Sequence, residues 1–231
     1  STGYIKGGSL ELAKRIENRF TDLGGVIHFN SKVDKILIEE NKAVGLKLKN
    51  GNVHKSDIVV SAADMHATLY SMLDGKYLDP DHTNLFKEET LSPSCVQVSL
   101  GVNMEMNLND ATNSITHHFP CSEPLTIGNT EFDTICVRSF EKDPAMAPEG
   151  KTFIHIRFSM NEFDYWNKIY ADKSAYKQRK EEILQYTLSQ LEHTFPGISE
   201  KIEVSDVCTP MTYQRYANTW NGAYMTWIST P

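Results

Sequence analysis

Eight histidines and four cysteines are the residues of this 231-residue chain best suited to bind a metal or attack a substrate. Their spacing argues against both roles. His117 and His118 are adjacent, and neighbours on a strand face opposite ways, so they cannot ligate one ion without a bend. Cys121 lies close by, but no second ligand pair follows it, and two polar edge residues is the plainer reading. Cys95, Cys121, Cys136 and Cys208 lie far apart with no C-x-x-C, as expected of reduced thiols in a cytosolic-type compartment. The 30 Asp and Glu residues offer no spacing that singles out an acid–base pair, so no catalytic residue is assigned. A complete G-x-G-x-x-G cradle, a P-loop, H-E-x-x-H and G-x-S-x-G are all missing. The aromatic run Tyr213, Tyr216, Trp220, Tyr224 and Trp227 could line an apolar pocket or equally form a packing face. Residue chemistry alone names no reaction.

The elements that would position such residues are easier to read. Leu12, Ala13, Ile16, Phe20 and Leu23 recur at helical spacing after Ser9, a plausible N-cap, and Gly24-Gly25 closes the helix. Short strands are predicted at residues 26–29 and 33–40. Alternation at Val44, Leu46 and Leu48 ends in Asn50-Gly51, a strong hairpin signal. Residues 57–62 read as a buried strand leading to a helix near Asp64. The middle of the chain is β-rich, with period-two stretches at residues 95–102, 134–140 and 152–160. A long helix is predicted from Ser174, with the stripe Tyr176, Ile183, Leu184, Thr187, Leu188 and Leu191, ending at Phe195-Pro196-Gly197. A last strand covers residues 202–207, and Thr209-Pro210 opens a helix or turn. This order predicts an α+β fold: a mixed, largely antiparallel sheet covered on one face by helices, with strands from both ends of the chain in one sheet.

Composition sets outer limits. Forty per cent hydrophobic and 23% charged residues fit a globular chain with a real core. The formal net charge of −7 and the lack of a basic stripe exclude an ordinary nucleic-acid binder. Lys173 to Lys180 is followed at once by Glu181 and Glu182, a solvated helix face. No apolar run is long enough to cross a membrane; peripheral membrane contact stays open. A start at Ser1 and a stop at Pro231 after an aromatic-rich stretch suggest a piece of a longer protein.

Two stretches resemble a known family. One runs from Gly3-Tyr4-Ile5-Lys6-Gly7-Gly8-Ser9-Leu10 through Gly24-Gly25-Val26-Ile27, Val33-Asp34-Lys35-Ile36, Val44-Gly45-Leu46 and Asn50-Gly51. It ends at Asp57-Ile58-Val59-Val60-Ser61-Ala62-Ala63-Asp64. The other comprises Pro196-Gly197-Ile198, Thr209-Pro210, Tyr213, Arg215 and Asn221-Gly222-Ala223-Tyr224. Their order and spacing are similar to the phytoene desaturase, carotenoid isomerase and retinol saturase group of FAD-dependent oxidoreductases, relatives of the flavin amine oxidases. The opening departs from that pattern, with Tyr4-Ile5-Lys6 lacking the group's proline.

The resemblance implies several things. Residues 1–231 would be a single substrate-binding domain, with 1–64 and 209–231 flanking an FAD-binding domain of the same chain that this sequence lacks. Gly7, Gly8, Val33, Ala62, Ala63 and Gly222 would lie beside the cofactor. Val33 would offer backbone to adenine, or serve as a core strand residue, or both. Gly7-Gly8 and Gly222 have an ordinary loop or turn as their alternative. FAD would belong to the full-length protein and would not be retained by this fragment, because the pyrophosphate cradle is missing. The partner would be an apolar small molecule, a long polyene altered at its C–C bonds. Met104, Met106, Phe158 and Met160 could line its tunnel, although core packing explains each as well. Two other readings stay open: a flavin amine oxidase relative, and a stand-alone apolar-ligand binding module with no redox role.

Overall fold

The computed structural model describes residues 5, 7–88, 91–106, 108, 116–140 and 144–225. Helix α1 (Gly8–Asp22) precedes a small antiparallel sheet of β1 (Val33–Glu39), β2 (Lys42–Leu48) and β3 (Val53–Lys55). A π-helical turn (Ala67–Met72) and α2 (Pro80–Glu88) lead to the larger part. There, β4 (Ser94–Val102), β5 (Thr116–Ile127), β6 (Thr130–Ser139), β7 (Thr152–Met160) and β8 (Ile202–Cys208) form one sheet in the order β5-β6-β7-β4-β8. Helices α3 (Phe163–Tyr170), α4 (Lys173–Thr194) and α5 (Pro210–Ala217) complete it. The α+β class is as expected. The sheet is neither mixed nor shared between the chain ends: among the described residues every strand pairing is antiparallel, and β1–β3 form a sheet of their own.

Strand alternation builds the core. Val96, Val98 and Leu100 of β4, Ile135 and Val137 of β6, and Ile154, Ile156 and Phe158 of β7 point to one face. Trp166 of α3, Ile183 and Leu191 of α4 and Met211 of α5 seal that face in one apolar cluster. Phe158 and Met160 belong to this sealed cluster, and Met104 and Met106 pack against it, so these four serve as packing rather than as the wall of an open tunnel. The exposed side of α4 carries the basic run, where Arg179 pairs with Glu182 at 2.9 Å.

Local signals held in kind and shifted in detail. Gly24 at φ 87° ends α1, with Gly24 N–H bonded to the Thr21 carbonyl and Gly25 N–H to that of Phe20, the paired bonds of a Schellman close. The cap at the other end is Gly7, not Ser9. Asn50-Gly51 does turn the chain, but only Gly51 is left-handed, while Asn50 Oδ1 accepts the Asn52 N–H. The β-hairpin turn with two successive positive φ values is Glu40-Asn41, between β1 and β2. The long helix is capped by Asp172, whose Oδ1 accepts from Ser174 and Ala175 N–H, rather than by Ser174. Thr209 and Thr212 close a capping box at α5. Two predicted strands, residues 26–29 and 57–62, join no ladder. A buried strand needs a neighbour for its N–H and C=O groups, and no described residue supplies one. Ile58 and Val60 are accordingly 77% and 84% exposed.

Candidate functional site

The second face of the five-stranded sheet is more polar and only partly covered, with Tyr213 and Tyr224 lying over one end of it. Opposite residues share a face in antiparallel pairs, so the register places Thr116, Arg138, His155, Ser99 and Asp206 in one row across all five strands. Arg157, Gln97 and Cys208 form the next row. Arg138 Nε donates to Thr116 Oγ1 at 3.2 Å, and Gln97 Nε2 to Ser99 Oγ at 3.1 Å. The Tyr224 ring lies 5.3 Å from the Arg157 guanidinium. His118 also faces this side, opposite Cys136, while His117 opposes Val137 on the core side, so the two rings diverge as strand geometry requires.

Burial moves several groups here away from their ordinary range. Burial, with the nearby Arg138 and Arg157 charges, pushes His155 down to about 4. Burial raises the Cys95 thiol, the Tyr213 hydroxyl and, to about 11, the Cys208 thiol. The sign of the histidine effect is testable. An unfolded histidine titrates near 6.5. As pH falls from there toward 4, the unfolded chain takes up a proton that the folded chain refuses, and stability drops. Chemical denaturation across this window should show a slope of up to one proton that is missing in His155→Gln.

A second feature ties the chain ends together. Asp64 Oδ1 accepts the Ala67 N–H at 2.9 Å, and its Oδ2 accepts the Trp220 N–H at 3.0 Å. His66 stacks between Tyr70 and Trp220, with ring centroids 4.5 and 5.0 Å away, and Phe86 meets it edge-on. Desolvation lowers the His66 pKa, with the Asp64 charge pulling the other way. Two residues on, the Gly222 carbonyl accepts from Ser94 Oγ at the start of β4. Asp64→Ala removes a cap and leaves a part-buried N–H unmet, at a cost of about 1–3 kcal/mol. Urea unfolding followed by tryptophan fluorescence should show that loss, with Asp64→Asn intermediate.

The sequence-predicted cofactor residues fall into separate places. Gly7 and Gly8 start α1 with φ of 90° and 79°. Val33 opens β1 and, with Ala67, Tyr70 and Asn218, lines a pocket of about 410 Å³. Ala62 and Ala63 lead into Asp64, whose bond to Trp220 brings them toward Gly222. The aromatic run is divided: Tyr213 meets Tyr224 at 6.1 Å, Trp220 joins His66, and Tyr216 is exposed. Gly3, Tyr4, Lys6 and Trp227 lie outside the described residues. Sequence reasoning missed the roles of Asp64, Arg138, His155 and Arg157. The alternation of β7 put His155 and Arg157 on one side, but it carried no information about which strand would bring Arg138 to them.

Among the described residues no group of three or more His, Cys, Asp or Glu is gathered as a metal site, and no helix is long and apolar enough to cross a membrane. The fold is shared with solved structures. A solved oxidoreductase from Methanosarcina mazei aligns with a TM-score of 0.56 at 20% identity, covering 88% of this chain and 43% of that one. A Pyrococcus furiosus structure aligns with a TM-score of 0.53 at 17% identity and the same coverages. The chain belongs to the flavin containing amine oxidoreductase family, whose sequence profile matches residues 1–231. It is 28% identical over 223 residues to the chloroplastic prolycopene isomerase of Daucus carota, covering 96% of this chain and 35% of the relative. It is 26% identical over 230 residues to a 4,4'-diapophytoene desaturase of Methylomonas sp, covering 95% and 43%. The chain thus spans less than half the length of these relatives.

Proposed function

We propose that this chain is the substrate-binding part of an FAD-dependent oxidoreductase that acts at carbon–carbon bonds of a long apolar polyene. The observation that carries the reading is the apolar surface of residues 8–60. Leu10, Ile16, Leu23, Val26, Phe29, Ile58 and Val60 are all more than 60% exposed, an unusual number of large apolar side chains facing solvent within one stretch of chain. A dinucleotide-binding unit of the same protein would cover α1 and give the unpaired segments 26–29 and 57–62 their ladder. The names of the carotenoid isomerase and desaturase relatives support the polyene as substrate.

The start of α1 suits a flavin. A Cβ added at Gly8 would meet nothing within 4 Å, leaving backbone that a flat ring can approach. In this reading Gly7 and Gly8 present that backbone, Val33 offers its main chain to the adenine, and Ala62 and Ala63 leave room beside the ring, while the space a side chain would take at Gly222 is filled by the Pro210 backbone. When bound, flavin supplies or takes up the hydride equivalent. The chain's own part is to bind and orient the polyene and keep water away.

The test is the full-length protein, purified and assayed with acyclic polyenes, with and without flavin. The expected result is bound flavin and a product changed in the number or geometry of its double bonds, formed only by the flavin-loaded protein. Stoichiometric polyene binding without any flavin site would make it a binding module. Amine oxidation with release of peroxide would place it with the amine oxidases instead.

A further inference from the structure

Among the described residues, the open sheet face holds more positive charge than its neighbours answer. Arg138 and Arg157 both lie close to His155, on the half-buried side of β6 and β7. Among the described residues neither guanidinium forms an ion pair, although the whole chain carries a net charge of −7. Asp206 is the carboxylate of this row, but it stands on β8, two strands from His155, roughly 10 Å at ordinary strand spacing. Its Oδ2 already accepts from the Cys208 thiol at 3.2 Å. His155 Nε2 is buried without a hydrogen-bond partner among the described residues. A buried polar atom left unmet is costly, and so is a cation partly withdrawn from water. Both costs are relieved by the same visitor, an oxygen acceptor.

The apolar neighbours narrow its class. Phe140 and Phe153 flank the imidazole at 5.5 and 6.3 Å, and Tyr224 covers Arg157. An inorganic anion would gain nothing from these rings. A carboxylate on an apolar body would use them, and its two oxygens match the guanidinium fork.

We propose that Arg138, His155 and Arg157 seat the carboxylate end of a long apolar ligand on the open sheet face, so that this protein prefers an acid-ended polyene to a hydrocarbon. The inference rests on the polyene reading above and deepens it. Arg138 and Arg157 supply the charge, His155 the remaining hydrogen bond, and the rings the floor for the apolar body.

The experiment uses the full-length protein at neutral pH and measures binding of all-trans-retinoic acid, its methyl ester and octanoate by calorimetry. The acid is expected to bind about tenfold or more tighter than the ester, as charge-assisted hydrogen bonds allow. Arg157→Met and Arg138→Met should each lower acid affinity about tenfold and leave the ester within about twofold, with Arg157→Lys in between. Circular dichroism checks that each variant is folded. Equal binding of acid and ester overturns the inference and leaves the polyene reading intact. A loss that falls equally on both ligands also overturns it, since it marks a structural role. If neither polyene binds, but octanoate does and Arg157→Met abolishes it, the carboxylate seat stands and the polyene reading falls. If no carboxylate binds at all, the inference is wrong.

Discussion

Trp166→Ala is expected to destabilise the protein by about 3–5 kcal/mol, the usual cost of emptying a fully buried aromatic site. Trp166 is 0% exposed and belongs to the cluster that joins α3, α4 and α5 to the sheet. Its ring lies edge-on to Tyr165 and to Tyr176, at 5.4 and 6.1 Å, so truncation also removes two aromatic contacts. For a chain of this size each kcal/mol moves the melting temperature by about 2–4 °C, which puts the shift at roughly 6–20 °C. Trp166→Phe separates the parts of that loss. The indole Nε1 is buried with no hydrogen-bond partner among the described residues, so a phenyl ring removes an unmet donor while giving up some volume. The two changes oppose each other, and Trp166→Phe should cost well under half as much as Trp166→Ala. Thermal melts of both variants check the prediction; equal losses would mean that the site requires the indole itself rather than the volume it fills.

What the sequence disclosed, and what it did not, follows the range of the forces involved. Residues 152–160 alternate so regularly that the strand is found with its expected ends, because a half-buried strand is written locally. The α4 stripe is found as well: Ile183, Thr187 and Leu191 are buried along one side. α3 was not predicted: it is only 8 residues long, too short for its apolar positions to repeat, and it is held by packing against α4 and α5. Residues 26–29 and 57–62 have strand-like composition but no ladder, since pairing is a property of two segments and no described residue pairs with them. The open face was half legible. Alternation placed His155 and Arg157 together, but their meeting with Arg138 depends on the β6–β7 register, which no local pattern encodes. Asp64 looked like the start of a helix, and that is one of its two roles. The other, holding Trp220, joins residues 156 positions apart.

Glycine-to-alanine changes at Gly222 and Gly8 should have opposite signatures, although both residues have positive φ, 61° and 79°. A left-handed backbone costs an L-residue about 1–2 kcal/mol wherever it occurs. At Gly222 space is also lacking: an added Cβ would sit 2.5 Å from the Pro210 carbonyl oxygen and 2.9 Å from its carbon. Those are backbone atoms at the first turn of α5, so relief requires moving either the helix or residues 220–222. Either shift strains the Ser94–Gly222 hydrogen bond and the placement of Tyr224 over Arg157. Gly222→Ala should therefore cost more than the left-handed strain alone, about 3 kcal/mol or more, and loosen the corner between α5 and the open face. At Gly8 the added methyl meets nothing, so only the strain remains, at a helix end where Gly7 already makes the turn. In the full-length protein Gly8→Ala should keep most of the stability while lowering flavin occupancy, because the methyl stands where the proposed reading brings a flat ring against backbone. Paired melting curves and flavin absorbance decide the matter. If Gly8→Ala retains full flavin, Gly8 shapes the start of α1 and does not touch the cofactor.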